Sequence, residues 1–289
     1  MRKGIILAGG LGTRLFPLTL TVSKQLLPIH DKPMIYYSLT TLIQLGINDI
    51  LIICKQDDMS NFQKLFGNGN NLGIKICYEI QNTPRGIAEG LIIAEEFLSD
   101  SPCVFILGDN LFVGNFTKNR YHDLLNNEEG ACIFTYKVKN PQRYGILELD
   151  SNNTMKIVEK PKFTKSNNAI TGIYFYDKYA SRIAKTLAPS KRNELEISDL
   201  NNSYLSNNKL LFEKLDDNIT WLDAGTISSL YEASNLVKAI EQRTGSKIGC
   251  IEIASFEMNN IDLNQLKKLQ IKIKNSEYGK SLQNFIDKV

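Results

Sequence analysis

Short apolar runs alternate with longer polar or amphipathic stretches in the first half of the chain. Branched residues dominate these runs, which cover residues 4–8, 50–54, 74–80 and 104–107. These runs are strand-like, and the first of them, 4–8, is typical of a strand that is buried on both faces. Because the stretches between them are long enough for crossover helices, the first half is predicted to be a doubly wound, mostly parallel α/β layer.

One crossover helix is predicted over residues 31–46. Asp31 is a favourable N-cap residue, Pro33 suits the first turn, and Gly46 suits the C-terminal end.

The pattern changes after residue 130. Apolar runs separated by short turns predict mixed or antiparallel strands that join the sheet, at 132–138, 144–149, 155–159 and 169–176. Asparagine tolerates left-handed backbone, so surface turns are predicted at the asparagine pairs 126–127, 152–153 and 167–168.

Helical periodicity replaces the strand pattern beyond Gly225. It runs first over 228–243 and then through Ile261, Leu263, Leu266 and Leu269. This apolar stripe would pack equally well on the core of the same chain or on another subunit. The predicted organisation is an α/β unit over 1–226, with halves 1–130 and 131–226, and a helical cap over 227–289.

Composition narrows the class of protein. The 289 residues are 43% hydrophobic, which allows a large core, and 34 basic against 31 acidic residues leave a net charge of only +3. No basic cluster suggests a nucleic-acid partner. The first apolar run stops at Gly9, too short for a signal peptide or a membrane span, so a cytoplasmic protein with no membrane partner is expected.

Metal-binding cysteine or histidine clusters are not expected. The cysteines are odd in number and show no CxxC spacing. They are predicted to be reduced residues of the core: Cys54, Cys77, Cys103, Cys132 and Cys250. Neither His30 nor His122 has a neighbour at zinc-ligand spacing.

A glycine-rich loop follows the first predicted strand. Gly9, Gly10 and Gly12 let the backbone present N–H groups to phosphate oxygens, and Arg14 can grip the same phosphates with its guanidinium. A Walker A loop would need Gly-Lys-Ser/Thr, and a dinucleotide fingerprint fails at Leu15. A turn that merely connects strand and helix stays an alternative.

Two aspartates and two lysines complete the candidate chemistry. Asp109 follows a predicted buried strand, at the sheet edge where ligands bind in open α/β folds. Asp223 likewise follows apolar residues and precedes a glycine, in the sequence WLDAG. Two carboxylates beside phosphates suit Mg²⁺, although each could also mark a turn. Lys24 and the Glu159–Lys160 pair could meet phosphates and sugar hydroxyls, or the pair could be a solvated ion pair.

The ordered motifs resemble those of the sugar nucleotidyltransferase family over essentially the whole chain. They are GGLGTRL, SKQLLP, LGDN, Tyr144–Gly145, EKP and WLDAGT, together with DKPMIYY, TGIYFYD and ELEISD. The resemblance implies a Rossmann-like fold with a sugar-binding β subregion. It also implies a reaction in which a sugar 1-phosphate attacks the α-phosphorus of a nucleoside triphosphate and expels pyrophosphate, without a protein nucleophile.

By the positions of the matching motifs, the resemblance implies a role for each candidate residue. The catalytic residues would be Arg14, Lys24, Asp109, Lys160 and Asp223, with Asp109 and Asp223 holding Mg²⁺ as cofactor. The nucleotide would contact Leu7, Gly9, Gly10, Gly12, Thr13, Arg14, Lys24, Gln25, Gln81, Gly86 and Asp109. The sugar phosphate would contact Asn110, Tyr144, Gly145, Glu159, Lys160, Ile170, Thr171, Arg192 and Glu194.

The branch of the family that the motifs resemble most uses dTTP and glucose 1-phosphate and supplies deoxysugar synthesis of the dTDP-rhamnose type. UTP or another hexose 1-phosphate stays open, because Arg85 stands where Asp is expected before Gly86. Ala224 stands in place of Thr beside Asp223. A non-catalytic nucleotide-sugar-binding regulator is the alternative of another class. The resemblance also implies a homotetramer, with regulatory contacts in the C-terminal helices.

Overall fold

The computed structural model describes residues 2–114, 116–149 and 154–289. The strands are β1 (Lys3–Ala8), β2 (Pro28–Ile29), β3 (Lys32–Pro33), β4 (Asp49–Cys54), β5 (Lys75–Ile80), β6 (Cys103–Leu107), β7 (Asn110–Val113), β8 (Ala131–Lys137), β9 (Gly145–Leu149), β10 (Met155–Glu159), β11 (Asn168–Tyr176), β12 (Leu210–Lys214) and β13 (Thr220–Asp223). The helices are α1 (Ile35–Gln44), α2 (Gln56–Phe66), α3 (Glu89–Ile93), α4 (Glu95–Leu98), α5 (His122–Asn126), α6 (Ala180–Lys185), α7 (Ile197–Ser206), α8 (Ile227–Thr244), α9 (Ile251–Glu257), α10 (Leu263–Ile273) and α11 (Glu277–Ile286). The turn predicted at 152–153 lies outside the described residues.

Nine strands within the described ranges form one sheet. Its main path runs β10-β9-β11-β6-β1-β4-β5, and β8 joins β11 to β12. Strands β6, β1, β4 and β5 run parallel to one another. Strand β11 is antiparallel to β6, β8 and β9. The predicted α/β fold with a mixed sheet is therefore confirmed.

Both faces of strands β1, β4 and β6 are buried, which explains their continuous apolar runs, whereas β5 at the edge of the sheet is partly exposed. Ile6 packs into one core cluster with α1 residues such as Leu39, whereas Ile5 packs into a second cluster with Leu91 of α3. Because successive side chains of a strand point to opposite faces, every residue of such a strand must be apolar when helices cover both sides.

The first predicted helix starts later than its capping signals indicate. Helix α1 begins at Ile35, after a small hairpin in which β2 pairs with β3. Asp31 does not cap α1; its carboxylate pairs with Lys32 at 2.7 Å and with Lys247. These ion pairs, one of them with a residue far along the chain, override the local preference. Gly46 does follow the end of α1, with a φ of 75°.

The C-terminal helices pack on the core of their own chain. Val237 of α8 and Ile251 of α9 are buried against the α/β unit. Leu266 of α10 and Leu282 of α11 are fully buried in a cluster of their own. The apolar stripe predicted for the tail is thus covered within the chain at Leu266 and at Ile261. None of the described helices combines the length and hydropathy needed to cross a membrane.

Candidate active site

The glycine loop and Asp109 lie at the same edge of the sheet. Leu7 of β1 stands opposite Leu107 of β6 in the parallel ladder, so both strands end side by side. Gly12 adopts a left-handed conformation, with a φ of 65°, and starts a short 3₁₀ turn that carries Arg14. The loop therefore turns sharply and brings a guanidinium back toward the strand ends.

A cavity of about 240 Å³ opens at this edge. The predicted site residues that line it are Leu7, Gly10, Arg14, Lys24, Gln25, Asp109, Asn110, Tyr144, Gly145, Glu159, Lys160, Ile170 and Asp223. Residues from 7–110 and from 143–223 contribute to this lining. Residues predicted to meet the nucleotide and residues predicted to meet the sugar phosphate thus share one cavity.

The other predicted site residues do not line the cavity. They are Gly9, Gly12, Thr13, Gln81, Gly86, Thr171, Arg192 and Glu194. Gly9 packs so closely on Gln81 that a Cβ there would lie 2.2 Å from the Gln81 Oε1 atom. Arg192 approaches the cavity through Glu159, with 3.6 Å between its Nη2 and the carboxylate. Thr171 is fully buried.

Asp109 is a buried carboxylate whose negative charge is stabilised by neighbouring donors. Burial by itself raises the pKa of its carboxyl, but the Lys24 ammonium and the Asn110 amide hold that pKa below its ordinary value. The ammonium of Lys24 forms an ion pair with Oδ2, and the Asn110 amide donates to Oδ1 at 3.0 Å. Asp109 is therefore ionised in the neutral range.

Asp223 is the last residue of β13, the strand that pairs with β7. It lies opposite Asn110 in the β13–β7 ladder, and the next N–H, of Ala224, donates to the Asp109 carbonyl at 2.9 Å. Burial raises the pKa of the Asp223 carboxyl, and the nearby Asp109 charge adds to this, against the opposing effects of Tyr144 and Arg143. Two carboxylates on adjacent segments of one cavity wall are a donor set that fits a hard divalent cation.

Asn110 joins three strands behind these carboxylates. Its Oδ1 accepts from the Gly172 N–H at 3.0 Å and from Trp221 Nε1 at 2.6 Å. The β11–β8 register shifts between Ile170 and Tyr174, which leaves the Gly172 N–H free for this bond. A Cβ at Gly172 would lie 2.4 Å from Asn110 Oδ1, so only glycine fits there.

The far end of the cavity carries an acid–base pair. Glu159 accepts from the Ser198 hydroxyl at 2.6 Å and lies 3.0 Å from the Lys160 ammonium. Lys160 has a left-handed backbone, with a φ of 42°, directly after β10. Gly145 packs beside Glu159, where an added Cβ would lie 3.3 Å from its Oε2.

The loop beyond β5 is organised by Glu89. Its carboxylate accepts from Gln81 Nε2 at 2.8 Å, and from the Arg85 backbone N–H and Nε at 2.9 and 2.8 Å. Gly86 has a φ of 105° and packs against Leu195. Arg85, which departs from the expected Asp, is thus bound to Glu89 rather than directed into the cavity.

Several lining residues were absent from the sequence-based set: Ile87, Leu107, Arg143, Gly172, Tyr174, Ile197, Ser198, Asn201 and Trp221. The most consequential is Arg143, which stands directly before the predicted Tyr144–Gly145 pair and binds Asp223. Adjacency to that pair was the only local signal for it. Ser198 and Trp221 lie inside motifs that the sequence already marked.

One further acidic grouping occurs among the described residues. His30, Asp31 and Glu241 bring potential metal-ligating atoms within 4.8 Å of one another. Lys32 and Lys247 already form ion pairs with both carboxylates. The charges of this cluster are therefore compensated by ammonium groups, and it lies outside the cavity.

Comparison with known proteins gives the family. The nucleotidyl transferase family profile matches residues 3–240. A glucose-1-phosphate thymidylyltransferase of Xanthomonas campestris is 45% identical over 282 residues, covering 97% of this chain and 96% of the relative. One of Mycobacterium tuberculosis is 40% identical over 290 residues, covering 99% of each chain.

Solved structures agree with this assignment. A crystal structure described as a glucose-1-phosphate thymidylyltransferase of Bacillus anthracis, in complex with sucrose, is 39% identical with a TM-score of 0.75 and covers 82% of this chain and 95% of its own. A UDP-glucose pyrophosphorylase bound to UDP-glucose shares the fold, with a TM-score of 0.71 at 22% identity, covering 83% of this chain and 99% of its own. The chain therefore belongs to the nucleotidyl transferase family, as its motifs predict.

Proposed function

We propose that this protein is a glucose-1-phosphate thymidylyltransferase, which forms dTDP-glucose and pyrophosphate from dTTP and glucose 1-phosphate. The observation that carries the proposal is a single cavity lined by the cations Arg14, Lys24 and Lys160 and by the carboxylates Asp109 and Asp223. Relatives that are 40–45% identical over nearly the whole chain bear that name.

The proposed reaction needs no protein nucleophile. A phosphate oxygen of glucose 1-phosphate forms a bond to the α-phosphorus of dTTP, while the bond from that phosphorus to the bridging oxygen of the β-phosphate breaks and pyrophosphate leaves. Catalysis then consists of positioning and charge stabilisation. Arg14 would hold the triphosphate, Lys24 the α-phosphoryl oxygens, and Lys160 the sugar phosphate.

Mg²⁺ is the proposed cofactor, held by Asp109 and Asp223. The donor set of two carboxylates leaves coordination positions for water and phosphate oxygens, as Mg²⁺ requires. When bound, the ion would supply charge neutralisation and a template for the phosphates.

The sugar is proposed to bind at the other end of the cavity. Glu159 can accept hydrogen bonds from hydroxyls, and the Ser198 hydroxyl and the Lys160 ammonium hold its carboxylate in place. Tyr144 and Gly145 would form the wall beside it. The base would lie near Gln81 and Gly86, at the glycine-loop end.

Pyrophosphate release is the direct test. The protein is mixed with Mg²⁺, glucose 1-phosphate and dTTP, and the product is identified as dTDP-glucose by mass spectrometry. Competition among dTTP, UTP, dCTP and ATP, and a panel of hexose 1-phosphates, then give the preferred pair. Absence of release with every pair contradicts the proposal and favours a non-catalytic nucleotide-sugar-binding protein.

A matched pair of lysine variants ties activity to the cavity. Lys160→Met removes the ammonium beside Glu159, and kcat/KM is expected to fall about 10²–10³-fold, the scale seen when one charge-stabilising donor is lost. Lys156→Met removes an exposed lysine of β10, the strand that Lys160 follows, outside the cavity. It is expected to retain activity, and equal losses in both variants would argue against the assigned role.

We further propose a homotetramer in which residues 227–289 supply subunit or regulatory contacts, and a cytoplasmic location. Light scattering at assay concentration tests the assembly, and a monomer would exclude it without affecting the proposed reaction.

A further inference from the structure

Arg143 occupies one of the two carboxylates proposed to bind the cation. Its Nη2 lies 2.8 Å from Oδ2 and 3.2 Å from Oδ1 of Asp223. The Tyr144 hydroxyl donates to Oδ1 at 2.6 Å. Both oxygens of the Asp223 carboxylate are therefore engaged by donors. The Tyr144 hydroxyl is neutral, whereas the Arg143 guanidinium is positively charged.

A divalent cation and this guanidinium compete for the same oxygen atoms. A metal needs lone pairs of the carboxylate oxygens, and a metal ion and a guanidinium bound to the same carboxylate repel each other. Oδ2 receives its bond from Arg143 and not from Tyr144. The Arg143 guanidinium therefore opposes metal binding at Oδ2, and its departure favours such binding.

Arg143 is the more exposed partner of this ion pair. It lies in the 3₁₀ turn Pro141–Arg143, and its side chain is 36% exposed against 17% for Asp223. In the position that binds Asp223, its guanidinium also stands over the Tyr144 ring, 5.4 Å from the centroid. Asp223, by contrast, is fixed on strand β13.

We propose that Arg143 is an exchangeable counter-cation of Asp223, which the divalent cation displaces and which then binds a substrate phosphate. This inference rests on the proposed function, because it takes Asp223 as a metal ligand. Arg143 weakens metal binding to the ligand-free enzyme, and a phosphate that draws the guanidinium away relieves the competition. Metal and phosphorylated substrate then favour each other's binding.

Mn²⁺ binding to the substrate-free protein tests the competition without turnover. Electron paramagnetic resonance titration measures the free ion. Arg143→Met keeps an apolar stem against Tyr144 and removes the charge, and its Mn²⁺ dissociation constant is expected to fall at least about fivefold, the scale of a unit charge at hydrogen-bond distance. Arg143→Lys retains a cation and is expected to stay closer to the unaltered protein.

Two controls separate displacement from other effects. Arg120→Met removes an arginine whose Nη1 lies 2.8 Å from Asp216, outside the cavity, and is expected to leave Mn²⁺ affinity unchanged. Tyr144→Phe removes the neutral donor to Asp223 and is expected to change the affinity less than Arg143→Met does. If Mn²⁺ binds Arg143→Met no more tightly than it binds the unaltered protein, the proposal is wrong.

Steady-state kinetics test the second half of the proposal. At saturating Mg²⁺, Arg143→Met is expected to raise the KM of dTTP or of glucose 1-phosphate about tenfold or more, because a hydrogen bond to a charged group is lost. Unchanged KM values for both would overturn the transfer of Arg143 to a phosphate. Pyrophosphate release by the unaltered protein is measured separately, so failure of the proposed reaction is distinguishable from failure of this inference.

Discussion

At the residue scale, Gly9 and Gly10 make different demands although they are neighbours in one loop. A Cβ at Gly9 would lie 2.2 Å from Gln81 Oε1, whereas a Cβ at Gly10 would meet nothing closer than Lys24 Cε at 3.9 Å. Gly9 is therefore required by the packing of the protein itself. Gly10 leaves open space on the side of the cavity.

Gly9→Ala is expected to displace Gln81 and to destabilise the protein by about 1–3 kcal/mol, the usual cost of overpacking. It should also raise the KM of dTTP, because Gln81 moves from its position beside Gly86. Urea unfolding and initial rates measure the two effects. Gly10→Ala is the matched control, expected to unfold like the unaltered protein when no nucleotide is present. Equal stability of all three proteins would contradict the packing argument.

At the scale of elements, one side chain fixes the junction of β7, β11 and β13. Asn110→Ala leaves the Trp221 Nε1–H and the Gly172 N–H without their acceptor in a buried setting. Each unpaired buried donor costs about 1–3 kcal/mol, so a total loss of about 2–6 kcal/mol in unfolding free energy is expected for the two donors. Thermal or urea unfolding measures it.

The control for Asn110 is an exposed asparagine that makes a single bond. Asn207→Ala removes only a bond to the Ser203 carbonyl on the surface of α7, so its stability should change by less than about 0.5 kcal/mol. If Asn110→Ala unfolds like Asn207→Ala, the junction does not depend on this side chain.

The elements also show what the sequence determines locally. Strands β1, β4 and β6 could be predicted because burial on both faces demands continuous apolar residues, which are visible in the sequence. The start of α1 could not, because Asp31 is held by Lys247, whose position is set by tertiary structure. Arg143 was missed for the same reason, since its partner Asp223 lies 80 residues away.

At the scale of the whole molecule, the C-terminal helices are joined to the α/β unit through a buried polar cluster. The Tyr278 hydroxyl of α11 donates to Glu252 of α9 at 2.5 Å, and Lys32 and Lys247 stand over the Tyr278 ring. Lys32 belongs to β3, and Lys247 follows α8. This cluster therefore couples the stability of the helical region to that of the hairpin before α1.

Glu252 makes that coupling dependent on pH. Burial raises the pKa of its carboxyl above the ordinary value of 4.5, although the Tyr278 hydrogen bond opposes the shift. Between pH 4.5 and the raised pKa, the folded protein keeps a proton that the unfolded chain has lost, so the unfolding free energy falls as pH rises through this window.

The Glu252→Gln variant cannot titrate at this position, and its amide oxygen can still accept a hydrogen bond from Tyr278. Its stability relative to the unaltered protein should therefore increase as pH rises through the window and stay constant above it, because every other titrating group is common to both proteins. Urea unfolding of the pair from about pH 4 to 8 measures the difference. A stability difference that does not change with pH would show that Glu252 has the same pKa in the folded and unfolded chain.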